Sequence, residues 1–311
     1  MGIKDTKAKE FLADNRRFAD LCNYFLYDGE IVIKPEDLVE QDTTELLSVM
    51  GDGEEELQVQ KWRDLIKRVV IKNTSACRYV VIGVENQTDI HYAMPVRNMI
   101  YDAINYGKQI KETAKRHRSS KDLRRSGEFL SGFSKEDKLI PVITLALYWG
   151  AEPWDAPRSI HEMFSDIDVN LRQYISDYRL NLIAPCEITD FGKFRTSLGA
   201  VLEMIKYSKD ERRMNQIITS RAIYKNLEKE AVTAIIMFTG MEIRTDEEEE
   251  TMDVCKAWVD HRQAGVAEGE SKTEKKIILN MSKNGFSVEQ IAAATEIDVE
   301  EVREIVENKS L

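Results

Sequence analysis

The chain has 311 residues, 42% of them hydrophobic, and a formal net charge of −11. That length exceeds one ordinary domain and supplies enough apolar material for a sizeable core with an appended module. The acidic balance excludes a surface that is a nucleic-acid footprint throughout, because phosphate binding needs clustered Lys and Arg, but it leaves room for a local basic face.

The apolar residues Phe11, Leu12, Phe18, Leu21, Cys22, Phe25 and Leu26 recur at three- and four-residue intervals. This spacing predicts one amphipathic helix over residues 7–27. Asp28-Gly29 marks a turn, and Ile31-Val32-Ile33 reads as a short strand ended by Pro35. Residues 37–50 carry no clear period, and the acidic 51–56 (GDGEEE) reads as a solvated loop.

Leu65-Ile66 and Val69-Val70-Ile71 predict a strand, 72–75 a hairpin turn, and the unbroken apolar run 79–84 a central strand buried on both faces. After Pro95 the spacing of Val96, Met99, Ile100, Ala103 and Ile104 changes to the helical period. A second buried strand follows at 139–149, ended by Gly150 and Pro153. Strand, long helical crossover and strand predict a parallel pairing, and so an α/β sheet. Residues 182–184 are one further candidate strand, and 195–240 are helical in pattern.

The small, polar segment 265–272 has the composition of a linker. Beyond it, 277–308 reads as three short helices with breaks at Asn284-Gly285 and 296–298. Capping boxes are expected at Ser287/Gln290 and Asp298/Glu301. This unit is helix-turn-helix-like, but Glu289, Glu296, Glu300, Glu301 and Glu304 make it acidic, which favours packing or self-association into a homo-oligomer over DNA contact. Domains are therefore expected at 1–188, 189–264 (helical) and 273–311.

No apolar run reaches the roughly 20 residues a bilayer requires, and 1–11 has no signal-like apolar stretch. Cys22, Cys77, Cys186 and Cys255 lack CxxC spacing. A soluble protein of a reducing, cytoplasmic compartment is expected, with no membrane partner.

Glu85 and Gln87, two apart near the end of the central strand, share one face. In an antiparallel hairpin turning at 73–75, Asp64 at the start of the first strand approaches them. Two carboxylates beside a peptide carbonyl offer the hard oxygen ligands that Mg²⁺ or Mn²⁺ prefers, and such an ion can clamp a phosphate and acidify a water.

RDLI at 63–66, VIGVENQ at 81–87, MPVRNMIYDAINY at 94–106 and PVITLALYWG at 141–150 together resemble the Rpn or YhgA-like group. These are recombination-promoting, transposase-like nucleases of the PD-(D/E)xK phosphodiesterase superfamily. The resemblance runs from Phe18 to Gly150 and weakens beyond. It implies a restriction-endonuclease-like αβββαβ core with a helical C-terminal region, and a DNA endonuclease using Mg²⁺, Mn²⁺ or Ca²⁺. By resemblance Asp64 and Glu85 are the acidic metal ligands, the Asn86 carbonyl a third, and Gln87 stands where the superfamily more often has lysine. A glutamine orients water or phosphate by hydrogen bonding but brings neither charge nor base.

Either the metal alone activates water, or a lysine elsewhere supplies the missing charge, with Lys67, Lys108 and Lys111 as unranked candidates. Asp20 and Asp42 are weaker candidates for an extra acidic ligand, and Tyr101 and Asn105 for side chains facing the site. The basic run Lys108, Lys111, Lys115, Arg116, Arg118, Lys121, Arg124 and Arg125 is the expected DNA-backbone contact, its distal half a mobile loop around Ser119, Ser120, Ser126 and Gly127. His91, His117, His161 and His261 show no ligand spacing and are expected to be structural or exposed. Two alternatives stand beside the endonuclease: a catalytically inactive DNA-binding or regulatory protein on the same fold, and a transposase performing strand transfer.

Overall fold

In the computed structural model of the chain, residues 2–40, 44–48, 58–62, 65–73, 76–242 and 250–307 are described. Two units form, one from Met1–Met241 with Glu249–Met252, the other from Glu242–Glu248 with Asp253–Leu311. Among the described residues no helix is long and apolar enough to cross a membrane.

The first unit opens with α1 (Ile3–Ala13) and α2 (Asn15–Tyr27). The single helix expected over 7–27 is broken at Asp14. Its carboxylate accepts from the Arg16 backbone N–H at 2.7 Å and so caps α2, a local bond that competes with helix continuation. Ile31-Val32-Ile33 is not a strand either. The Asn23 side chain accepts from the N–H groups of Val32 and Ile33 and donates to the Ile33 carbonyl, so this segment pairs with a side chain instead of a neighbouring strand. The strand stands a few residues later, as β1 (Leu38–Glu40).

A hairpin of β2 (Thr44–Ser48) and β3 (Gln58–Trp62) follows, then β4 (Leu65–Asn73) and β5 (Ala76–Gln87), which pair antiparallel from Leu65↔Val84 to Asn73↔Ala76. The expected loop 51–56 and the turn residues Thr74 and Ser75 lie outside the described residues. After β5 the chain crosses over through α3 (Met94–Ser120) and the short α4 (Ser126–Ser131) to β6 (Val142–Tyr148), parallel to β5 as the strand-helix-strand pattern predicts. Beyond α5 (Val169–Arg172), β7 (Asn181–Ile183) adds in parallel to β6. The result is a mixed α/β fold on a five-stranded mixed sheet of order β1-β4-β5-β6-β7, with β5 in the middle.

Alternation along β5 and β6 separates two faces. One carries Val81, Gly83, Glu85, Gln87, Thr144 and Ala146 under α3, where the buried Asp102 accepts from Thr144 Oγ1 at 2.5 Å and from the Tyr178 hydroxyl at 2.6 Å. The other carries Lys67, Asn86 and Trp149, covered by the first two helices and by those that close the unit. These are α6 (Ser197–Tyr207), α7 (Glu211–Ser220) and, after the two-residue β8 (Leu227–Glu228), α8 (Lys229–Thr239), with β9 (Thr251–Met252) antiparallel to β8. Trp149 stacks on Phe238 at 4.6 Å and meets Phe11 edge-on at 6.1 Å, contacts worth about 0.5–1.5 kcal/mol each beyond burial. The helices read from 195–240 therefore complete this core.

In the second unit α9 (Val254–Lys283) runs straight through 265–272. The expected linker is helix because the Ala, Glu and Lys around Gly265 and Gly269 favour it and outweigh two glycines at about 1 kcal/mol each. Turns at Asn284-Gly285 and 296–298 lead to α10 (Val288–Thr295) and α11 (Val299–Glu307), which bury Ile291, Ala292 and Val302 against Ile278. The Ser287/Gln290 box forms in both directions. Asp298 accepts instead from the N–H of Glu300, at 2.9 Å.

Candidate functional site

Glu85 sits near the C-terminal end of the central strand, and its side chain is completely buried. An ionised carboxylate in that position costs several kcal/mol unless a cation offsets it. Here the cation is Arg97, in the first turn of α3, whose Nη2 stands 3.2 Å from Glu85 Oε2. The guanidinium remains 31% exposed, donates through Nε to the Tyr101 hydroxyl at 3.1 Å, and lies 5.7 Å from the Tyr101 ring centre. Arg97 was not among the residues expected here. The signal for it was an arginine one helical turn before an aromatic residue, at the start of the helix that leaves the acidic strand end.

Gln87 is buried on the same face as Glu85, and its Nε2 donates to the Asn86 carbonyl at 2.9 Å. The Asn86 side chain points to the other face and accepts from Trp149 Nε1 at 2.9 Å. Trp149 N–H donates to the Gln87 carbonyl, so the strand end is held on both sides of its functional segment. Asn98, fully buried on α3, has neither side-chain amide atom hydrogen-bonded among the described residues, a cost of about 1–3 kcal/mol. Asp64 and Asp42 lie outside the described residues. Leu65, next to Asp64 in sequence, pairs with Val84, next to Glu85.

Of the two alternatives, the metal alone or a lysine from elsewhere, the second had Lys67, Lys108 and Lys111 as candidates, and the structure places each of them away from Glu85. Lys67 is on the opposite face of the sheet, where its Nζ donates to the Ala13 carbonyl at 2.7 Å and to Asn15 Oδ1 at 2.5 Å, bracing the break between α1 and α2. Burial pushes its ammonium below the usual lysine range. The period of two already separates residue 67 from residue 85 across the pairing Lys67↔Ile82. Lys108 and Lys111 are exposed, Lys108 being eleven residues beyond Arg97 on one helix, about 16 Å along its axis.

Asp20 is also accounted for structurally. It accepts from Arg195 N–H, Thr196 N–H and Thr196 Oγ1 at 3.0, 2.8 and 2.6 Å, fastening α2 to the entry of α6. Asn105 accepts from Gln109 Nε2 at 3.2 Å, and Gln109 in turn grips both backbone groups of Ile140. Of the weaker candidates among the described residues, Tyr101 alone joins the site, through Arg97.

Comparison with family models, curated proteins and solved structures finds no match. The site therefore rests on its own chemistry: a buried acid, an amide, a peptide carbonyl and a guanidinium at one strand end. Among the described residues no group of three or more His, Cys, Asp or Glu stands together as a metal cluster.

All eight basic residues from Lys108 to Arg125 are exposed. The distal half is more regular than expected. α3 remains helical through Ser120, and α4 begins at Ser126. At 100° per residue, Arg97, Tyr101, Lys108, Lys111, Lys115 and Arg118 fall within about a 100° sector of α3. One line of the helix thus runs from Glu85 to a positive stripe about 15 Å long. Arg116 lies off that line and pairs with Asp137 at 3.0 Å.

His117 pins the end of this helix. Its Nδ1 is 2.6 Å from Asp122 Oδ1 and its Nε2 2.7 Å from Asp137 Oδ2, with Arg116 also on Asp137. The hydrogen bonds to Asp122 and then to Asp137 raise the imidazole above its ordinary 6.5. Asp137 falls to about 2, first through the Ser134 backbone N–H and then through His117. A folded-state value above the unfolded one means that the clamp contributes fully below pH 6.5 and is lost as pH rises through the raised value. An NMR titration of His117 is expected to show a midpoint above 6.5, with faster amide exchange at 118–125 beyond it. A midpoint at or below 6.5 would remove the clamp.

Proposed function

We propose that this chain is a metal-dependent phosphodiesterase that cuts DNA, with Glu85 and Asp64 as the acidic ligands of a divalent ion. One observation carries the reading: a fully buried carboxylate at the end of the central strand, next to a peptide carbonyl and paired with an arginine. A well-packed apolar residue would serve stability at least as well there, so the charge calls for a functional explanation. The element order α2, β1, β4, β5, α3, β6, with the β2–β3 hairpin inserted, is consistent with the αβββαβ plan of restriction-endonuclease-like nucleases, and so with the resemblance to the Rpn group.

The donor set suits a hard cation such as Mg²⁺, Mn²⁺ or Ca²⁺, because carboxylate and carbonyl oxygens are what those ions take. The position already accommodates one positive charge. When bound, such an ion supplies phosphate polarisation and a more acidic water. Glu85 and the Asn86 carbonyl would hold it from the end of β5, with Asp64, the residue before Leu65 in sequence, as the second acid. Gln87 keeps a donor on that carbonyl and fixes its direction. The basic stripe on α3 would bind the DNA backbone without reading bases.

The Arg97–Glu85 pair also favours one rival, a regulatory DNA-binding protein whose arginine neutralises the old ligand permanently. Supercoiled plasmid incubated with Mg²⁺, Mn²⁺ or Ca²⁺ separates them. The parent is expected to nick or linearise it and Asp64→Ala to leave it intact. Equal cutting by both overturns the ligand assignment, and no cutting of DNA or RNA by the parent supports the rival. Joined strands in place of free ends would indicate strand transfer.

A further inference from the structure

We propose that Asn98 is a further residue of this site, its carboxamide oxygen a neutral donor to the divalent ion that Glu85 binds. The inference rests on the metal-dependent reading above and deepens it, since it adds an oxygen that neither acid supplies.

Asn98 is fully buried on α3, and among the described residues neither its Oδ1 nor its Nδ2 has a hydrogen-bond partner. An unpaired amide in a protein interior destabilises the fold, and asparagine is also a poor helix former. Leucine, of similar size and branching, would remove both penalties at this position. A residue that lowers stability in two ways calls for a role outside stability.

Its place follows from the way α3 lies on the sheet. The Tyr106 hydroxyl accepts from the Val142 N–H at 3.1 Å, Asp102 accepts from Thr144 Oγ1 at 2.5 Å, and Met94 packs with Ala146 and Tyr148. Four residues of helix, about 6 Å, thus match two residues of β6, about 6.6 Å. Asn98, midway between Met94 and Asp102, therefore stands opposite Ala146. Ala146 is the β6 partner of Glu85, and the two side chains share the face that α3 covers. Beneath Asn98 the sheet presents a methyl group, with the buried carboxylate one strand away.

The chemistry explains why an amide stands there. Mg²⁺, Mn²⁺ and Ca²⁺ take roughly six or more oxygens, and two acids with one peptide carbonyl fall short of that number. A third carboxylate would add a further negative charge to a buried position, where desolvation is costly. A carboxamide oxygen is hard enough for these ions and brings no charge to desolvate in the ion-free protein.

The test uses the full chain and two readouts other than cleavage. Mn²⁺ affinity is measured by the loss of the free-ion electron paramagnetic resonance signal, and the melting temperature is measured in chelator. Asn98→Leu is expected to melt about 2–4 °C above the parent, yet to bind Mn²⁺ about tenfold more weakly. Asn98→Asp, which keeps an oxygen in the same place, should melt below the parent in chelator and bind Mn²⁺ at least as tightly. Asn98→Ala replaces the leucine variant if that one does not fold, with the same loss of Mn²⁺ affinity.

A Mn²⁺ affinity within threefold of the parent in Asn98→Leu overturns the assignment. So does a loss in Asn98→Asp equal to that in Asn98→Leu, because fit and not the oxygen would then decide. An Asn98→Leu protein that melts below the parent in chelator also overturns it, since the amide would be serving the fold. Glu85→Gln separates these failures from failure of the metal reading. If it abolishes Mn²⁺ binding while Asn98→Leu retains it, the metal site stands without Asn98. If Glu85→Gln binds Mn²⁺ as the parent does, both readings fall.

Discussion

Glu85→Gln is expected to lower metal-dependent DNA cleavage by roughly 10³-fold, equivalent to about 4 kcal/mol of activation free energy, while leaving the fold intact. The amide has the shape of the acid but not its charge, so it fills the same buried volume at the end of β5 and gives up the anionic oxygens. Stability is expected to change by no more than about 1 kcal/mol, because two effects oppose each other. The buried negative charge and its desolvation cost disappear, and Arg97 loses one charged partner but keeps Tyr101 and its access to water. Plasmid nicking at a fixed protein concentration, paired with thermal melts of both proteins, measures the two quantities. Cleavage within tenfold of the parent would remove Glu85 from the site, and a large fall in melting temperature would make the activity loss uninformative about ligation.

Replacing Lys111, Lys115 and Arg118 together by glutamine is expected to weaken duplex binding about 10²-fold or more at 0.1 M salt, and to flatten its logarithmic salt dependence by about 2.7, or 0.9 for each lost phosphate contact. All three are exposed along one line of α3, so the melting temperature should scarcely move. Arg116 is left in place because it is engaged with Asp137, and changing it would disturb the His117 clamp as well. The large salt effect follows from context. In a chain of net charge −11 this stripe is the concentrated positive field, so DNA that avoids the rest of the surface is steered to it. An unchanged salt slope, read by anisotropy over several salt concentrations, would place the DNA elsewhere.

Much of the sheet was readable because its signals are local. The apolar run 79–84 and its neighbours specified the β4–β5 hairpin, and the change to helical spacing after Pro95 specified the crossover that makes β6 parallel. The breaks in the C-terminal helices followed from Asn284-Gly285 and the Ser287 cap. The misreadings share a cause, the competition between a local period and a specific side chain. Asp14 ends α1 where the apolar pattern continues, Asn23 takes the hydrogen bonds that would have made 31–33 a strand, and the helix formers around Gly265 and Gly269 carry α9 through an apparent linker.

At the candidate site the sequence by itself determined the members of one strand: Glu85 and Gln87 on one face, with the carbonyl of Asn86 between them, because alternation is a property of the strand backbone. It also determined that positive charge is concentrated after α3 begins. Only the tertiary structure decided which cation meets Glu85. That choice depends on how α3 lies across the sheet, which sends Arg97 to the carboxylate, Lys67 to the opposite face and Lys108 out to solvent. Local periodicity records which way a residue points from its own element, and the packing of one element on another determines what it reaches.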